Sequence, residues 1–290
     1  MPMIDVNGIK LHYHLKGRGL PILFIHPPLL TSENFNYQLE QLSDQFTVVV
    51  FDIRGHGHSE ASAAPITYTL ISSDIQQLMN ALNIKKCYLA GYSTGGGIAL
   101  DAMLTYPDRF YGGILISAMS EVSDPWLKFR ISMAERMCDM KAKKLLSWAI
   151  SYGNADMDIT YRNLMESALK GNLENMKQYY SISKQFCCTD SLRYLKIPQL
   201  LVYGEKDKAF HRYAKMLKKE LPSSQLYYIR GLRHQLPTKA PYKLNGLIRK
   251  WITEHQEMGL NNRVLTTLDR VPLVNTEYAS TVSRQHQAPH

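Results

Sequence analysis

The chain has 290 residues, of which 45% are hydrophobic, so it can bury a large core, and we expect one α/β domain with an insertion. The 34 Lys and Arg residues against 25 Asp and Glu residues give a net charge of +9, and this basic excess is spread along the chain. No basic stripe interleaved with aromatic residues is present, which argues against a nucleic-acid partner. No apolar run reaches the length of a membrane span, which argues against membrane insertion.

The amino-terminal residues and the cysteines indicate where in the cell the protein is expected to be. Residues 1–5 lack the basic region and apolar stretch of a signal peptide. Cys87, Cys138, Cys187 and Cys188 do not have metal-ligand spacing, so we expect four reduced thiols. The sequence therefore predicts a cytoplasmic protein without a metal or a cofactor.

Alternating strand and helix patterns fill the first 120 residues. Asn7-Gly8 separates two short strands at 4–6 and 9–15, and this dipeptide is the strongest short signal for a hairpin. Further strands are predicted at 21–26, 46–52, 87–90 and 111–118, with helices at 71–82 and 96–106. The apolar character of these strands is typical of a mostly parallel sheet covered on both faces.

The pattern changes after residue 120. Residues 121–195 have helical periodicity and no convincing strand, so we expect a helical cap. Its Met and aromatic residues are expected to form mainly its own core, with some lining a pocket. These residues are Met133, Met137, Met140, Trp148, Tyr152, Tyr161, Tyr179 and Tyr180.

The α/β pattern then resumes and closes the core. Strands are predicted at 198–204 and 225–229, and helices at 211–220 and 241–254. The helical pattern ends near Met258, and the polar stretch that follows is expected to be poorly ordered or to bind a partner. The predicted organisation is a core of residues 1–120 and 196–256, a cap of residues 121–195 and a tail of residues 257–290.

The pentapeptide Gly91-Tyr-Ser93-Thr-Gly95 lies between an apolar strand and a helix. A serine on a tight turn from strand to helix has a strained backbone and an exposed hydroxyl. The amino end of the following helix directs free N–H groups and a positive dipole towards the place where an oxyanion would form. Ser93 is therefore the candidate nucleophile.

A serine hydroxyl needs a base, and the base needs a carboxylate that orients it. Asp207 follows the predicted strand 198–204, and His234 lies in the loop after the strand 225–229. Such strand ends gather at one edge of a parallel sheet. The chain order Ser93, Asp207, His234 also matches the order that accompanies this type of turn. The sequence thus predicts a catalytic triad.

Other residues could take the roles of Asp207 and His234. Glu205 is the rival carboxylate, two residues nearer its strand than Asp207. His26, His56 and His58 are rival bases. His26 ends a strand near the candidate site, and its position favours a role in shaping a loop through hydrogen bonds.

With these residues in place, the sequence resembles the α/β-hydrolase superfamily over about residues 9–252. The motifs that carry the resemblance are His26 with the loop to Phe35, Asp52-x-Arg54-Gly55-His56-Gly57-x-Ser59, Gly91-Tyr-Ser93-Thr-Gly95-Gly96, Gly204-x-x-Asp207 and His234. The resemblance implies a mostly parallel, doubly wound sheet with a helical cap insertion. It also implies a serine esterase or a related hydrolase of small esters, thioesters or lactones. Epoxide hydrolases and haloalkane dehalogenases of this superfamily use Asp as the nucleophile, so Ser93 argues against those reactions.

The chain departs from the family pattern in the loop after the first core strand. The family usually has His-Gly-x there, and the N–H of x is one donor of the oxyanion hole. This chain has His26-Pro27-Pro28, and proline has no N–H to donate. The expected donors are therefore the N–H of Thr94 and, if the loop is shifted, the N–H of Leu29.

The favoured function is a serine hydrolase that acts on a small apolar acyl substrate through an acyl-enzyme on Ser93. Two alternatives stay open. One is a ligand receptor or signalling module that keeps the triad, a hypothesis motivated by Pro28 and by the tail. The other is a carbon–carbon bond hydrolase or lyase that uses the same triad. The physiological substrate and the oligomeric state are not readable from the sequence.

Overall fold

The structure, a computed structural model, describes the backbone of residues 2–268 and the side chains of residues 2–256. The strands are β1 Met3–Val6, β2 Ile9–Lys16, β3 Pro21–Ile25, β4 Thr47–Phe51, β5 Cys87–Tyr92, β6 Phe110–Ile116, β7 Gln199–Gly204 and β8 Ser224–Ile229. The helices are α1 Asn36–Leu42, α2 Tyr68–Ala81, α3 Thr94–Thr105, α4 Pro125–Asp139, α5 Lys143–Asn154, α6 Asp158–Lys170, α7 Leu173–Gln185, α8 His211–Glu220, α9 Leu236–Lys239 and α10 Pro241–Leu268.

The strands form one sheet in the order β1-β2-β4-β3-β5-β6-β7-β8. The pairs β1–β2 and β2–β4 are antiparallel, and all the other neighbours in the sheet are parallel. The predicted hairpin is present, because Asn7 and Gly8 both have a positive φ, as a type I′ turn requires. The expectation of a mostly parallel sheet flanked by helices is therefore confirmed.

Burial explains why the central strands have apolar sequences. Every residue of β5 and of β7 is buried, and so is nearly every residue of β3 and β4. Helix α3 packs on β5 and β6, and α2 packs beside α3. The carboxyl ends of β3, β4, β5, β7 and β8 lie at one edge of the sheet, so the loops that carry the candidate residues meet there.

Four helices, α4 to α7, lie between β6 and β7. Helix α4 packs against α7, and α5 packs against α6. A single β-bridge between Glu121 and Cys187 joins the two chain segments at the ends of this insertion. The helical character of residues 125–185 agrees with the sequence pattern, whereas the division into core, cap and tail stays a prediction.

The end of α10 differs from the sequence expectation. The helix runs to Leu268, beyond the helix end expected at residue 254 and the loss of pattern near Met258. Gly259 costs a helix only about 1 kcal/mol, and no proline follows until Pro272, so nothing in this stretch blocks the backbone from helical geometry. Residues 2–249 form one compact unit, and residues 250–268 of α10 belong to a second. The remainder of the predicted tail, residues 269–290, lies outside the described residues.

No helix in the described part of the chain is both long enough and apolar enough to cross a membrane.

A buried polar network fixes the loop after β4. The Asp52 carboxylate accepts hydrogen bonds from the His12 ring at 2.9 Å, from the Ser32 N–H at 2.8 Å and from the His58 N–H at 2.9 Å. Burial acts to raise the pKa of Asp52, but these hydrogen bonds hold the pKa below its ordinary value. The carboxylate therefore stays charged and ties the loops after β3 and β4 to β2.

A buried ion pair continues this network. Arg54 donates to both oxygens of Asp74 at 2.6 Å, and both side chains are almost fully buried. Such a bidentate pair fixes the guanidinium in one orientation. It connects the loop after β4 to α2, and α2 packs beside α3, the helix that follows Ser93.

Two neutral histidines make the stability of this region depend on pH. Burial lowers the pKa of His56 to about 3 from 6.5, and burial also lowers the pKa of His26. Between pH 6.5 and about 3, His56 binds a proton in the unfolded chain but not in the folded chain. The free energy of unfolding therefore falls as pH falls below 6.5.

We predict that His56→Gln flattens this fall by about 1.4 kcal/mol per pH unit, which is the slope contributed by one such group. Urea unfolding at pH 7, 6, 5 and 4 measures the slope for the wild type and for the variant. Equal slopes in the two proteins would contradict the expectation.

Candidate active site

Ser93 occupies a sharp turn between β5 and α3. Its φ of +54° lies in the left-handed region, and its N–H donates to the Ile116 carbonyl of the neighbouring strand at 2.9 Å. A Cβ at Gly91 would lie 2.5 Å from the Gly95 carbonyl oxygen, and one at Gly95 would lie 2.4 Å from the Ile25 carbonyl oxygen. The glycines therefore allow the turn to press against β3, and the turn holds Ser93 in its strained conformation.

His234 lies between Ser93 and Asp207. Its Nε2 is 3.1 Å from the Ser93 Oγ, and its Nδ1 is 2.8 Å from a carboxylate oxygen of Asp207. The Phe210 ring packs on the imidazole with centroids 4.1 Å apart. The structure thus brings the three residues that the sequence pointed to into one hydrogen-bonded chain, in which His234 and Asp207 are largely shielded from solvent.

Contacts from the segments after β6 and β7 hold the loop that contains His234 in place. The Lys206 N–H donates to the Leu232 carbonyl at 2.7 Å, and the Ser117 hydroxyl donates to the His234 carbonyl at 3.1 Å. The rival carboxylate Glu205 accepts the Gly231 N–H at 2.8 Å. Glu205 therefore braces the histidine loop and does not bond the imidazole.

None of the three rival histidines bonds Ser93. Nδ1 of His26 bonds the Pro27 carbonyl and its Nε2 accepts the Ile53 N–H, both at 2.9 Å. This is the loop-shaping role expected from its position. His56 is fully buried, and the His58 Nε2 faces the Lys170 ammonium group at 2.9 Å.

The loop after β3 reverses direction at Pro28 and Leu29. Leu29 has a φ of +70°, so a proline precedes a residue of positive φ, as in a type II turn. The Leu29 side chain is fully buried, and its N–H makes no hydrogen bond within the part of the chain that the structure describes. The Thr94 N–H, at the first position of α3, has no acceptor within its own helix.

A cavity of about 380 Å³ opens at Ser93 and His234. Its walls are mostly apolar and come from the loop after β3, from α4 and from α5. Apolar lining residues are Pro27, Pro28, Leu30, Met119, Leu127, Ile131, Met133, Ala134, Met137, Leu146 and Ile150. At one side the Tyr92 hydroxyl donates to the Asn154 side chain at 3.1 Å. The arrangement can place an apolar acyl group beside the Ser93 hydroxyl.

The sequence predicts that some Met and aromatic residues of the insertion line a pocket, without indicating which ones. Met133, Met137 and Tyr180 line the cavity, whereas Trp148 and Tyr152 are exposed, stack on each other and lie outside it. Arg130 also lines the cavity, and sequence reasoning missed it. One exposed arginine on an amphipathic helix carries no signal that distinguishes it from a solvated surface residue.

The described residues include one group with ligand atoms close enough for a metal, made by His12, Asp52 and His58. Both oxygens of Asp52 already accept hydrogen bonds, one of them from the His12 ring and from the His58 N–H. The group is therefore explained as the hydrogen-bond network described above. It lies among buried core residues and does not line the cavity at Ser93.

Comparisons with known proteins agree with this architecture. The family model for the alpha/beta hydrolase fold matches residues 21–236. Serine hydrolase BPHL of Homo sapiens is 26% identical over 256 residues, which cover 86% of this chain and 85% of that protein. A thermophilic esterase from Thermogutta terrifontis superposes with a TM-score of 0.74 at 23% identity, over 88% of this chain and 99% of that one. The enol-lactonase from Burkholderia xenovorans LB400 superposes with a TM-score of 0.78 at 19% identity, over 87% of this chain and 100% of that one.

We predict that Gly95→Ala lowers the free energy of unfolding by about 1–3 kcal/mol, because its Cβ would overlap the carbonyl oxygen at the end of β3. Gly153→Ala on α5 is the matched control, since no atom lies within 4 Å of its added Cβ. That variant should instead gain about 0.5–1 kcal/mol from reduced backbone entropy. Urea unfolding of both proteins measures the difference, and equal changes would refute the close approach.

Proposed function

The chain belongs to the α/β-hydrolase family, and we propose that it is a serine hydrolase that cleaves a small ester, thioester or lactone through an acyl-enzyme on Ser93. The observation that carries the proposal is the hydrogen-bonded chain from the Ser93 hydroxyl through the His234 imidazole to the Asp207 carboxylate. This is the arrangement that turns a weak hydroxyl nucleophile into an effective one.

The roles follow from the contacts. With Nδ1–H donating to Asp207, the Nε2 of His234 has a lone pair that accepts the Ser93 proton as Oγ attacks the acyl carbonyl. The imidazolium then gives this proton to the leaving group, and the Asp207 carboxylate stabilises the positive charge. Water attacks the acyl-enzyme by the same steps in reverse order and releases the acid.

The N–H groups of Leu29 and Thr94 are the proposed oxyanion hole. Both lack an acceptor among the described contacts, and Thr94 adds the positive end of the α3 dipole. The positive φ of Leu29 is costly for a branched side chain, by about 1–3 kcal/mol, and strain of this kind concentrates at functional sites. The turn therefore supports Leu29 as the donor that replaces the one removed by Pro28.

The substrate class is proposed from the cavity and from the relatives. The largely apolar wall suits an acyl chain, and the related proteins named as esterases and as an enol-lactonase act on acyl carbonyls. No contact favours carbon–carbon bond cleavage over ester cleavage. The receptor hypothesis loses its main motive if Leu29 supplies the N–H that Pro28 lacks.

We predict that Ser93→Ala lowers kcat/KM for 4-nitrophenyl acetate by at least about 10³-fold and abolishes labelling by a fluorophosphonate probe. Ser223→Ala, at an exposed serine that does not line the cavity, is the control and should leave both unchanged. Equal turnover by wild type and Ser93→Ala would exclude Ser93 as the nucleophile.

A further variant tests the proposed oxyanion donor. Pro28→Gly introduces a new N–H one residue before Leu29, and Pro27→Gly makes the same change in backbone freedom one position earlier. If the Leu29 N–H already fills the hole, neither variant should raise kcat. A missing donor typically costs about 10²–10³ in kcat, so a rise of that size in Pro28→Gly alone would show that the hole of the wild type is incomplete.

A further inference from the structure

Arg130 is an unpaired cation in the wall of the cavity that contains Ser93 and His234. Besides the two ionisable members of the triad it is the one charged residue that lines this cavity. Asp207 bonds His234, whereas Arg130 makes no hydrogen bond or ion pair within the described part of the chain. Its side chain is exposed to solvent, so it lies where the cavity meets the surface.

The acidic residues on and beside α4 are bound to other cations. Glu135 pairs with Lys184, and Asp139 pairs with Lys177 at 2.6 Å. Asp124, at the start of the helix, pairs with Arg212 at 3.2 Å. No carboxylate of the helix is therefore left to neutralise Arg130.

Arg130 shares the wall of this cavity with two buried tyrosines. Burial raises the pKa values of the Tyr92 and Tyr180 hydroxyls, and the nearby Arg130 guanidinium opposes this shift in both. Tyr92 immediately precedes Ser93, and Tyr180 lines the same cavity. The apolar residues Leu127 and Met133, one helical turn before and after Arg130 on α4, line the same cavity.

We propose that Arg130 binds a carboxylate on the substrate, so that the preferred ester, thioester or lactone carries an anionic group at the end away from the scissile carbonyl. This inference rests on the proposed hydrolase function. A guanidinium binds a carboxylate through two parallel charge-assisted hydrogen bonds, which are stronger than hydrogen bonds between neutral groups. The apolar wall would hold the carbon chain between the Ser93 hydroxyl and the anionic end.

Two esters of matched shape test the proposal, mono-4-nitrophenyl glutarate and 4-nitrophenyl 5-methylhexanoate. The first ends in a carboxylate, and the second ends in an uncharged isopropyl group at the same position. The measured quantity is the ratio of kcat/KM for the anionic ester to that for the neutral ester. Arg130→Gln should lower this ratio by about 10- to 100-fold, mainly through KM, as expected for loss of charge-assisted hydrogen bonds. Arg130→Lys should retain part of the preference because it keeps the charge and loses the fork.

Arg136→Gln is the matched control, since Arg136 lies on the same helix, is exposed and does not line the cavity. It removes the same charge and should leave the ratio unchanged. An unchanged ratio in Arg130→Gln, or an equal fall in both variants, would overturn the proposal, the latter because it would point to a general effect of net charge.

A binding measurement separates this inference from the hydrolase function. Calorimetric titration of Ser93→Ala with mono-4-nitrophenyl glutarate measures affinity without turnover, and adding Arg130→Gln should weaken the affinity by the same 10- to 100-fold. If the wild type hydrolyses neither ester, the hydrolase proposal fails, and this titration still decides whether Arg130 binds the carboxylate. Equal affinity with and without Arg130 would refute it.

Discussion

The close approach of α3 to the end of β3 is the constraint on which the site depends. It exists because positions 91 and 95 have no side chain, and it holds Ser93 in a turn with a positive φ. The same approach brings Gly95 of α3 against the Ile25 and His26 carbonyl oxygens, where the loop that contains Leu29 begins. The proposed nucleophile and the proposed oxyanion hole therefore depend on one packing arrangement, so a single methyl group at Gly95 is expected to disturb both.

Much of the fold was predictable because buried parallel strands and tight turns leave strong local signals. The bounds of α8 were predicted as observed, and those of the central strands to within two residues. Helix α1 and the single turn of α9 were missed, since both are short and α1 has few apolar residues. The length of α10 was underestimated because a glycine and two asparagines weaken helical periodicity without ending a helix.

The site was predictable to the extent that its residues occur at strand ends in a fixed order. Ser93, Asp207 and His234 satisfy that rule, and the structure brings them together. The conformation of Leu29 was not readable, because a positive φ at a leucine depends on the packing of its buried side chain. The proposed role of Arg130 could not be predicted from the sequence either. It depends on Arg130 lining the cavity without an ion-pair partner among the described residues, and both are properties of the tertiary structure.

The most direct test of the account is the site of acylation during turnover. The protein would be mixed with 4-nitrophenyl acetate, quenched in acid within the first turnovers and analysed by intact-mass and peptide mass spectrometry. The account predicts one acetyl group per chain, on the peptide that contains Ser93, and none in His234→Ala under the same conditions. Ester hydrolysis with the acetyl group on another residue, or without any acetylated chain when its release is slowed, would contradict it.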